Sequence, residues 1–274
     1  MNTPETSHHH ERPLGAVTGA SRGIGREVAS ELARRGYDLI LGAEDDELEA
    51  AAAAVRHEGA GVWTVRCDLR EPAGVDAFYT RIKADGRPLE VIALNAGVGK
   101  GGAFVDNELE DELSVIELNI TSTVHLAKLV LRDMVARDAG RVMVTSSIAS
   151  EMPGSFQAIY NASKSFLQSF AEALQNELKD TRVTITSLMP GPTETEFFER
   201  AEMLDTRVGQ ARKDDAGTVA RQGVDALLAG QPRVTGGGLM TRVQDAATKV
   251  MPDRLKATVH RSMAEPGSAG SSEH

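Results

Sequence analysis

Short runs of β-branched and aliphatic residues alternate along the chain with longer segments in which apolar residues recur every three or four positions. The short runs predict six strands, at 14–17, 38–43, 62–66, 91–94, 141–145 and 183–188. The longer segments predict helices that bury one face, at 23–35, 45–58, 71–85, 108–137 and 156–178. This alternation predicts an α/β fold, a doubly wound parallel β-sheet with helices on both faces.

The pattern weakens after the sixth strand. We expect a mobile loop with short helices at 193–215 and an amphipathic helix at 216–229. An edge strand is expected at 231–235, followed by one or two terminal helices at 244–263 that are broken at Pro252. No linker interrupts the alternation, so residues 14–264 are expected to form one domain. A flexible polar leader is expected at 1–13 and a disordered Gly/Ser-rich tail at 265–274.

Composition narrows the class of protein. The 274 residues are 41% hydrophobic, and no apolar run reaches the roughly 18–20 residues that cross a bilayer. The net charge of −10 argues against a nucleic-acid surface. The polar start lacks the apolar centre of a signal peptide and Cys67 is the only cysteine, so we expect a cytoplasmic protein without disulfides. The histidines at 8–10 have no further ligand pattern around them, and no metal is expected.

A glycine-rich turn joins the first predicted strand to the first helix. It reads Thr18-Gly19-Ala20-Ser21-Arg22-Gly23-Ile24-Gly25. Glycines permit a tight turn and close backbone approach, and the helix amino terminus offers free N–H groups to a pyrophosphate. Taken alone, the turn is also compatible with a plain structural corner.

The spacing of this turn resembles the Thr-Gly-x-x-x-Gly-x-Gly motif of the short-chain dehydrogenase/reductase family. Further segments follow in that family's order, namely Leu94-Asn95-Ala96-Gly97, Asn119, Ser147, Tyr160-Asn161-Ala162-Ser163-Lys164 and Pro190-Gly191. The resemblance covers residues 14–235. It implies a Rossmann-type fold, an NAD or NADP cofactor, a small-molecule alcohol or carbonyl substrate and a homodimer or homotetramer.

A tyrosine four residues before a lysine occurs twice, at Tyr79/Lys83 and at Tyr160/Lys164. The first pair lies in an amphipathic helix between two predicted strands, which favours a surface role. The second follows Ser147 by thirteen residues, and Ser147 leaves the carboxyl end of the fifth strand, where ligands bind in open parallel sheets. Tyr160 and Lys164 lie one helical turn apart on one face. Context therefore selects the second pair as the candidate proton-transfer pair.

The chemistry needs these residue types. Reducing a carbonyl requires a hydride and a proton, which Tyr160 would exchange as general acid or base while Ser147 positions the substrate oxygen. Lowering the tyrosine pKa of about 10 by about three units requires roughly 4 kcal/mol. A Lys164 ammonium about 4 Å away would supply this at an effective dielectric constant of about 20. The resemblance implies that Asn119 holds a water linked to Lys164, although a solvent-facing asparagine is the alternative.

The resemblance also implies which residues hold the cofactor. They are Gly19, Ser21, Arg22, Gly23, Ile24 and Gly25 in the turn; Asp68 and Leu69 at the adenine; Asn95, Ala96 and Gly97 at the ribose; Tyr160 and Lys164; and Pro190, Gly191, Thr193 and Thr195 at the nicotinamide. A plain turn-forming role for Asp68 stays open.

The choice between NADP and NAD depends on the end of the second strand. Arg22 is a candidate partner for a 2′-phosphate, and Ala43 stands where NAD users of the family carry an aspartate. Glu44, with Asp45 and Asp46 behind it, would repel a phosphate unless these side chains turn outward at the start of a helix. The sequence favours NADP.

The expected function is interconversion of an alcohol and a carbonyl. Its substrate pocket would be lined by 98–104, 151–156 and 193–205, with Met152, Phe156, Phe197 and Phe198 favouring an apolar substrate. A sugar-nucleotide epimerase or dehydratase of the wider family is the second hypothesis, but it would need a larger carboxyl-terminal domain. A catalytically silent cofactor-binding sensor or interaction protein is the third, and it has no need of the Tyr160/Lys164 pair. Homo-oligomers would form through the helices at 108–137 and 156–178.

Overall fold

The structure is a computed structural model and describes residues 12–270. Seven strands form its sheet: β1 Leu14–Thr18, β2 Asp38–Ala43, β3 Val62–Arg66, β4 Leu89–Leu94, β5 Gly140–Thr145, β6 Val183–Pro190 and β7 Arg233–Gly236. The six strands predicted from hydrophobic runs are all present, and the predicted edge strand is β7. Most are buried on both faces, which is why they read as continuous apolar runs.

All neighbouring strands run parallel, in the order β3-β2-β1-β4-β5-β6-β7. The chain builds outward from β1 to β3, crosses back beside β1 and then builds outward in the other direction. This reversal separates the carboxyl ends of β1 and β4, which opens a crevice at that edge of the sheet. The predicted doubly wound α/β fold is confirmed.

Eleven α-helices lie in the described part of the chain, and they cover both faces of the sheet. They are α1 Gly23–Arg34, α2 Glu47–His57, α3 Pro72–Asp85, α4 Leu109–Ile116, α5 Ser122–Ala136, α6 Ala158–Glu177, α7 Phe197–Arg200, α8 Arg207–Gln210, α9 Ala216–Leu228, α10 Leu239–Val250 and α11 Asp253–Ala264. One core layer packs α3, α5 and α6 on the sheet around residues such as Phe78, Met134 and Leu167. The other packs α1, α2 and α9 around residues such as Leu32 and Val224.

The helix predicted at 108–137 is interrupted in the structure. Between α4 and α5 the backbone forms a π-helical turn, Glu117–Thr121, with Asn119 at its centre. Such a turn accommodates one extra residue and is common at functional sites. Both ends of the Asn119 amide bind the backbone of Val98, so the side chain that occupies this turn points into the protein and not to solvent.

The carboxyl-terminal part is more ordered than its sequence predicts. The segment 244–263 forms two helices, and Pro252 directly precedes the second, but α10 already begins at Leu239. The expected disordered tail is wrong for 265–270. Ser268 is buried, and the N–H groups of Gly267 and Ala269 donate to the carboxylate and the carbonyl of Asp205. Residues 271–274 lie outside the described part.

The amino-terminal leader is described only at its end. Arg12 donates to the carbonyls of Gly36 and Ala33 and so holds the entry to β1 in place, which differs from the flexible leader expected up to residue 13. Residues 1–11, with the histidines at 8–10, lie outside the described part. Within 12–270, no helix combines the length and the apolar character that crossing a membrane requires.

Candidate active site

A cleft follows the carboxyl edge of the sheet along the crevice between β1 and β4. The predicted site residues that line it are Gly19, Ser21, Arg22, Gly23, Ile24, Leu69, Asn95, Ala96, Gly97, Ser147, Tyr160, Lys164, Pro190, Gly191, Thr193 and Thr195. Gly25, Asp68 and Asn119 do not line it. The topology thus brings together residues that lie up to 176 positions apart from Gly19 to Thr195.

The glycine turn is shaped by close backbone approach. Gly19 has φ +64°, a conformation that favours glycine. A Cβ on Gly25 would lie 2.1 Å from the carbonyl oxygen of Gly19, so no other residue fits where α1 crosses the end of β1. The turn therefore presents the amino terminus of α1, which begins at Gly23, directly to the cleft.

Asn95 ties three strand ends together. Its backbone N–H and that of Ala96 donate to the Thr18 hydroxyl, at 3.0 and 3.1 Å. Its side-chain amide donates to the Thr18 carbonyl at 3.3 Å, and its side-chain oxygen accepts from the Thr145 hydroxyl at 3.1 Å. Asn95 thus holds the ends of β1, β4 and β5 together at the cleft. Ala96 and Gly97, which follow it, line the cleft.

Acidic residues surround Arg22 at one end of the cleft. Its guanidinium lies 3.0 Å from the Asp45 carboxylate and 2.9 Å from that of Glu47. Glu44 is held by Arg70 and Arg200. These acids do not all turn outward: Asp45 also accepts from the Ser21 hydroxyl at 3.1 Å, and both Arg22 Nε and Asp45 Oδ1 are buried without a hydrogen-bond partner.

Asp68 makes local contacts instead of facing the cleft. Its carboxylate accepts from the backbone N–H of Arg70 at 2.9 Å and from its guanidinium, which lowers the pKa of Asp68 against the opposing effect of burial. Its neighbours Cys67 and Leu69 line the cleft. The contacts of Asp68 are therefore those of a turn-forming residue, which was the alternative to an adenine contact.

Tyr160, Lys164 and Ser147 meet at the centre of the cleft. Ser147 leaves the end of β5, while α6 carries Tyr160 and Lys164 one turn apart. The Ser147 hydroxyl donates to the Pro190 carbonyl at 3.3 Å and accepts from the N–H of Ala149 at 3.1 Å. It also lies near enough to Tyr160 to influence the ionisation of the phenol. The Lys164 ammonium donates to the Thr145 carbonyl at 3.0 Å and lies 5.7 Å from the centre of the Tyr160 ring.

Burial controls the ionisation of this pair. It raises the pKa of Tyr160 to about 12, against the opposing effect of the Ser147 hydroxyl, and it lowers the pKa of Lys164 to about 8. The expectation that Lys164 lowers the tyrosine pKa is therefore wrong for the protein on its own. The physical reason is the apolar wall: the ring of Phe197 lies 5.1 Å from that of Tyr160 and leaves a phenolate poorly solvated.

Asn119 lies behind the pair and is fully buried. Its side-chain oxygen accepts from the Val98 N–H at 2.9 Å, and its amide donates to the Val98 carbonyl and to the Ser163 hydroxyl, each at 2.9 Å. A Cβ added to Gly97 would lie 3.1 Å from the Asn119 oxygen and 3.4 Å from the Lys164 nitrogen. The space beside Gly97 is therefore bordered by both polar groups.

The segment after β6 forms another side of the cleft. Thr193 donates to the Gly191 carbonyl at 2.8 Å, and Thr195 accepts from the N–H of Phe197 at 3.2 Å. Met152, Phe197 and Phe198 line the cleft as the predicted apolar side chains, together with Val98 and Gly99. Phe156 does not line it; its ring packs against Arg261, 5.1 Å away.

The terminal helices contribute lining residues that the sequence did not reveal. They are Gln244 of α10 and His260, Met263 and Ala264 of α11. Ala264 packs with Phe198, Ala201 and Met203 in a small separate core. No local pattern could identify these residues, because their partners lie about 60 to 100 positions away along the chain.

Comparison with known proteins agrees with this architecture. A family model described as short chain dehydrogenase matches residues 15–204. The chain is 31% identical over 207 residues to the 3-oxoacyl-[acyl-carrier-protein] reductase FabG of Escherichia coli (strain K12), covering 76% of this chain and 84% of that protein. It is 30% identical over 214 residues to the oxidoreductase UcpA of Salmonella typhimurium, covering 77% and 78%.

Solved structures give the same result. A short-chain dehydrogenase from Sphingobium yanoikuyae in complex with NADPH superposes with a TM-score of 0.75 at 28% identity, over 86% of this chain and 94% of that one. An enzyme from Burkholderia phymatum in complex with NAD shares the fold with a TM-score of 0.79 at 24% identity, over 88% and 92%. The chain belongs to the short-chain dehydrogenase/reductase family of oxidoreductases.

Proposed function

We propose that the protein interconverts an alcohol and a ketone or aldehyde with NAD(H) or NADP(H), and that Tyr160 is its general acid and base. The observation that carries this proposal is the meeting of Tyr160, Ser147 and Lys164 at the carboxyl edge of the sheet, in the same cleft as the glycine turn. The names of the relatives, a 3-oxoacyl reductase among them, support a carbonyl substrate. When bound, the nicotinamide supplies or accepts the hydride.

Each of the three residues has a distinct role in this proposal. With a pKa raised to about 12, the Tyr160 phenol carries its proton at neutral pH, as the donor in carbonyl reduction must. Ser147 lines the same cleft as Tyr160 and influences its ionisation, so a substrate oxygen placed beside both hydroxyls would be oriented and hydrogen-bonded. Lys164 donates only one of its three N–H groups to a described residue, Thr145, which leaves donors for ribose hydroxyls and for water.

A water beside Gly97 would connect Lys164 to Asn119. The contacts support this relay, because the Asn119 oxygen and the Lys164 nitrogen border the same small space and the oxygen has a second lone pair to offer. Protons lost by Tyr160 would return along it. The hydrogen bonds of Asn119 to Val98 also give this residue a structural role that the sequence did not suggest.

The described residues fit a dinucleotide, and we propose that NADH binds more tightly than NADPH. The buried, unpartnered Asp45 Oδ1 lacks a donor, which a ribose hydroxyl would supply. Arg22, the candidate partner of a 2′-phosphate, is already held by Asp45 and Glu47, and Glu44 adds a further negative charge. These contacts reverse the balance toward NADP that the sequence alone suggested.

Binding measurements test this preference. We expect calorimetry to give a lower Kd for NADH than for NADPH, and Asp45→Ala to weaken NADH binding by about tenfold or more while narrowing the difference between the two. Asp46→Ala, at the exposed neighbouring position, is the matched control and should change neither value. Tighter binding of NADPH by the unaltered protein would contradict the preference without affecting the proposed reaction.

A screen of ketones, aldehydes and alcohols tests the reaction itself, with the absorbance of NADH and NADPH as the readout. We expect turnover of at least one bulky apolar carbonyl compound, and its loss in Tyr160→Phe. The silent sensor remains the second candidate, and cofactor binding without turnover across the whole panel would favour it. We further propose a cytoplasmic homodimer or homotetramer, formed through α5 and α6, for which light scattering of the purified protein is the test.

A further inference from the structure

The carboxyl-terminal helix α11 forms a wall of the cleft. His260, Met263 and Ala264 line it. Ala264 is buried in the same small core as Phe198, whose ring contacts Phe197, and Phe197 in turn contacts the ring of Tyr160. His260 is only 8% exposed, so this ring is a largely buried polar group in the wall of the cleft.

A hydrogen bond to the loop before Tyr160 fixes the His260 ring. Its Nδ1 lies 3.0 Å from the carbonyl oxygen of Ser155, five residues before Tyr160. The Ser155 hydroxyl in turn donates to the Ala257 carbonyl at 3.3 Å, so the loop and α11 hold each other. His260 is thereby positioned from the same loop that leads into the catalytic helix.

This contact determines which ring nitrogen carries the proton. A carbonyl oxygen can only accept, so the hydrogen must be on Nδ1. Burial lowers the pKa of His260, which keeps the ring neutral at pH 7 and leaves a bare lone pair on Nε2. Among the described residues, with the side chains of 249, 250 and 253 set aside, no group donates a hydrogen bond to Nε2.

The cleft that His260 lines also has apolar side chains. Met152, Phe197, Phe198 and Met263 line it together with His260, and the ring of Phe197 stands edge-on to that of Phe198, 5.4 Å away. A ligand that fills this space gains from apolar contact, but it leaves the His260 nitrogen unsatisfied unless it brings a donor.

We propose that His260 is a substrate-recognition residue whose Nε2 accepts a hydrogen bond from a hydroxyl group on the substrate, remote from the reacting carbon. The inference rests on the proposed alcohol–carbonyl reaction and adds its substrate class: a bulky, mostly apolar carbonyl compound that carries one hydroxyl donor. The chain would discriminate against the same skeleton with that donor removed, because the ligand would close Nε2 off from water without giving it a partner.

Pairs of aryl ketones that differ only in a hydroxyl or a methoxy group test this class. Their affinities are measured by calorimetry on the Tyr160→Phe protein with NADH, so that binding is read without turnover. We expect at least one hydroxylated member to bind about tenfold more tightly than its methyl ether. His260→Leu should reduce that ratio to about one, whereas His260→Gln, which can donate to Ser155 and still present an oxygen, should retain most of it.

The ratio separates recognition from a merely structural role, because loosening α11 would weaken both members of a pair equally. His57→Leu, at the exposed end of α2, is the matched control and should leave the ratio unchanged. An unchanged ratio in His260→Leu, or no binding of any hydroxylated member, would overturn the role of His260. Undiminished turnover by Tyr160→Phe would instead contradict the proposed reaction and leave the hydroxyl preference standing.

Discussion

Two tyrosine–lysine pairs with identical spacing lie in two different environments. In α3, the Tyr79 hydroxyl and the Lys83 ammonium both donate to the carboxylate of Asp133 on α5, at 2.9 and 2.8 Å. In α6, Tyr160 lies near the Ser147 hydroxyl with no carboxylate of a described residue beside it, and Lys164 donates to a neutral backbone carbonyl. One pair is a bridge between two helices at the surface, and the other faces a cleft.

The environments move the lysine pKa in opposite directions. The hydrogen bond to Asp133 raises the pKa of Lys83, while burial without a carboxylate partner lowers that of Lys164 to about 8. A lysine near its pKa can exchange protons with water at neutral to mildly alkaline pH. The same four-residue spacing therefore gives a structural contact in one helix and a candidate proton-transfer device in the other.

Removing each lysine gives the largest expected difference between the pairs. Lys164→Met should lower turnover by about a hundredfold or more, since it removes the positive charge and the donors beside Tyr160. Lys83→Met should leave turnover within about twofold, as no reacting group lies near it. Initial rates with a substrate identified by the screen are the measurement, and comparable losses in both variants would break the distinction.

Removing Asn119, which lies behind Tyr160 and Lys164, should lower the stability of the fold. Asn119→Ala strands the buried N–H and carbonyl of Val98, so we expect a loss of about 2–4 kcal/mol in the free energy of unfolding. Urea denaturation followed by circular dichroism measures it. A loss below about 1 kcal/mol would mean that water replaces the amide and that its structural role is small.

The charge buried at Lys164 should cost stability at neutral pH. Its pKa is about 8 in the folded protein and 10.5 ordinarily, so the unfolded chain binds more protons between these values and stability rises with pH there. Lys164→Met should therefore raise Tm at pH 7, and its advantage should shrink as the pH rises from 8 to 10.5. Thermal melts of both proteins across this range provide the test, and an advantage that grows with pH would contradict it.

The surface pair, Tyr79 and Lys83, should contribute least to stability. Asp133→Asn removes the shared carboxylate of Tyr79 and Lys83, but these side chains are partly exposed, so the cost should stay below about 1 kcal/mol. Turnover should not change. Urea denaturation with and without added salt is the measurement, and a loss of several kcal/mol would show that this bridge is as important to the fold as Asn119.

Local pattern was sufficient to predict the strands and, in outline, the helices up to α6, with α4 and α5 predicted as one helix. Together with the family resemblance it also named most of the residues that meet at the cleft, though not those of α10 and α11. Buried parallel strands are short apolar runs, and topology then brings their carboxyl ends together whatever the distance along the chain. The sequence pattern could not predict that Arg22 pairs with Asp45 and Glu47. The direction of a side chain after a strand end depends on the residues that pack around it in the fold. The pattern also could not reveal that burial raises the pKa of Tyr160.

The residues of α10 and α11 that line the cleft could not be predicted from local pattern, for a related reason. The contact of His260 with Ser155 joins residues 105 positions apart, and neither sits in a recognisable motif. The order at 265–270 likewise depends on contacts with Asp205 and not on its own Gly/Ser composition. Such tertiary contacts override the composition from which a disordered tail was expected.

The most direct test compares Tyr160→Phe with Tyr79→Phe, which remove the same hydroxyl from the two pairs. Tyr160→Phe should lower turnover by about a hundredfold or more while the Kd for the cofactor stays within about twofold, and Tyr79→Phe should change neither. Turnover by Tyr160→Phe within about tenfold of the unaltered protein would contradict the assignment of Tyr160 as the proton donor.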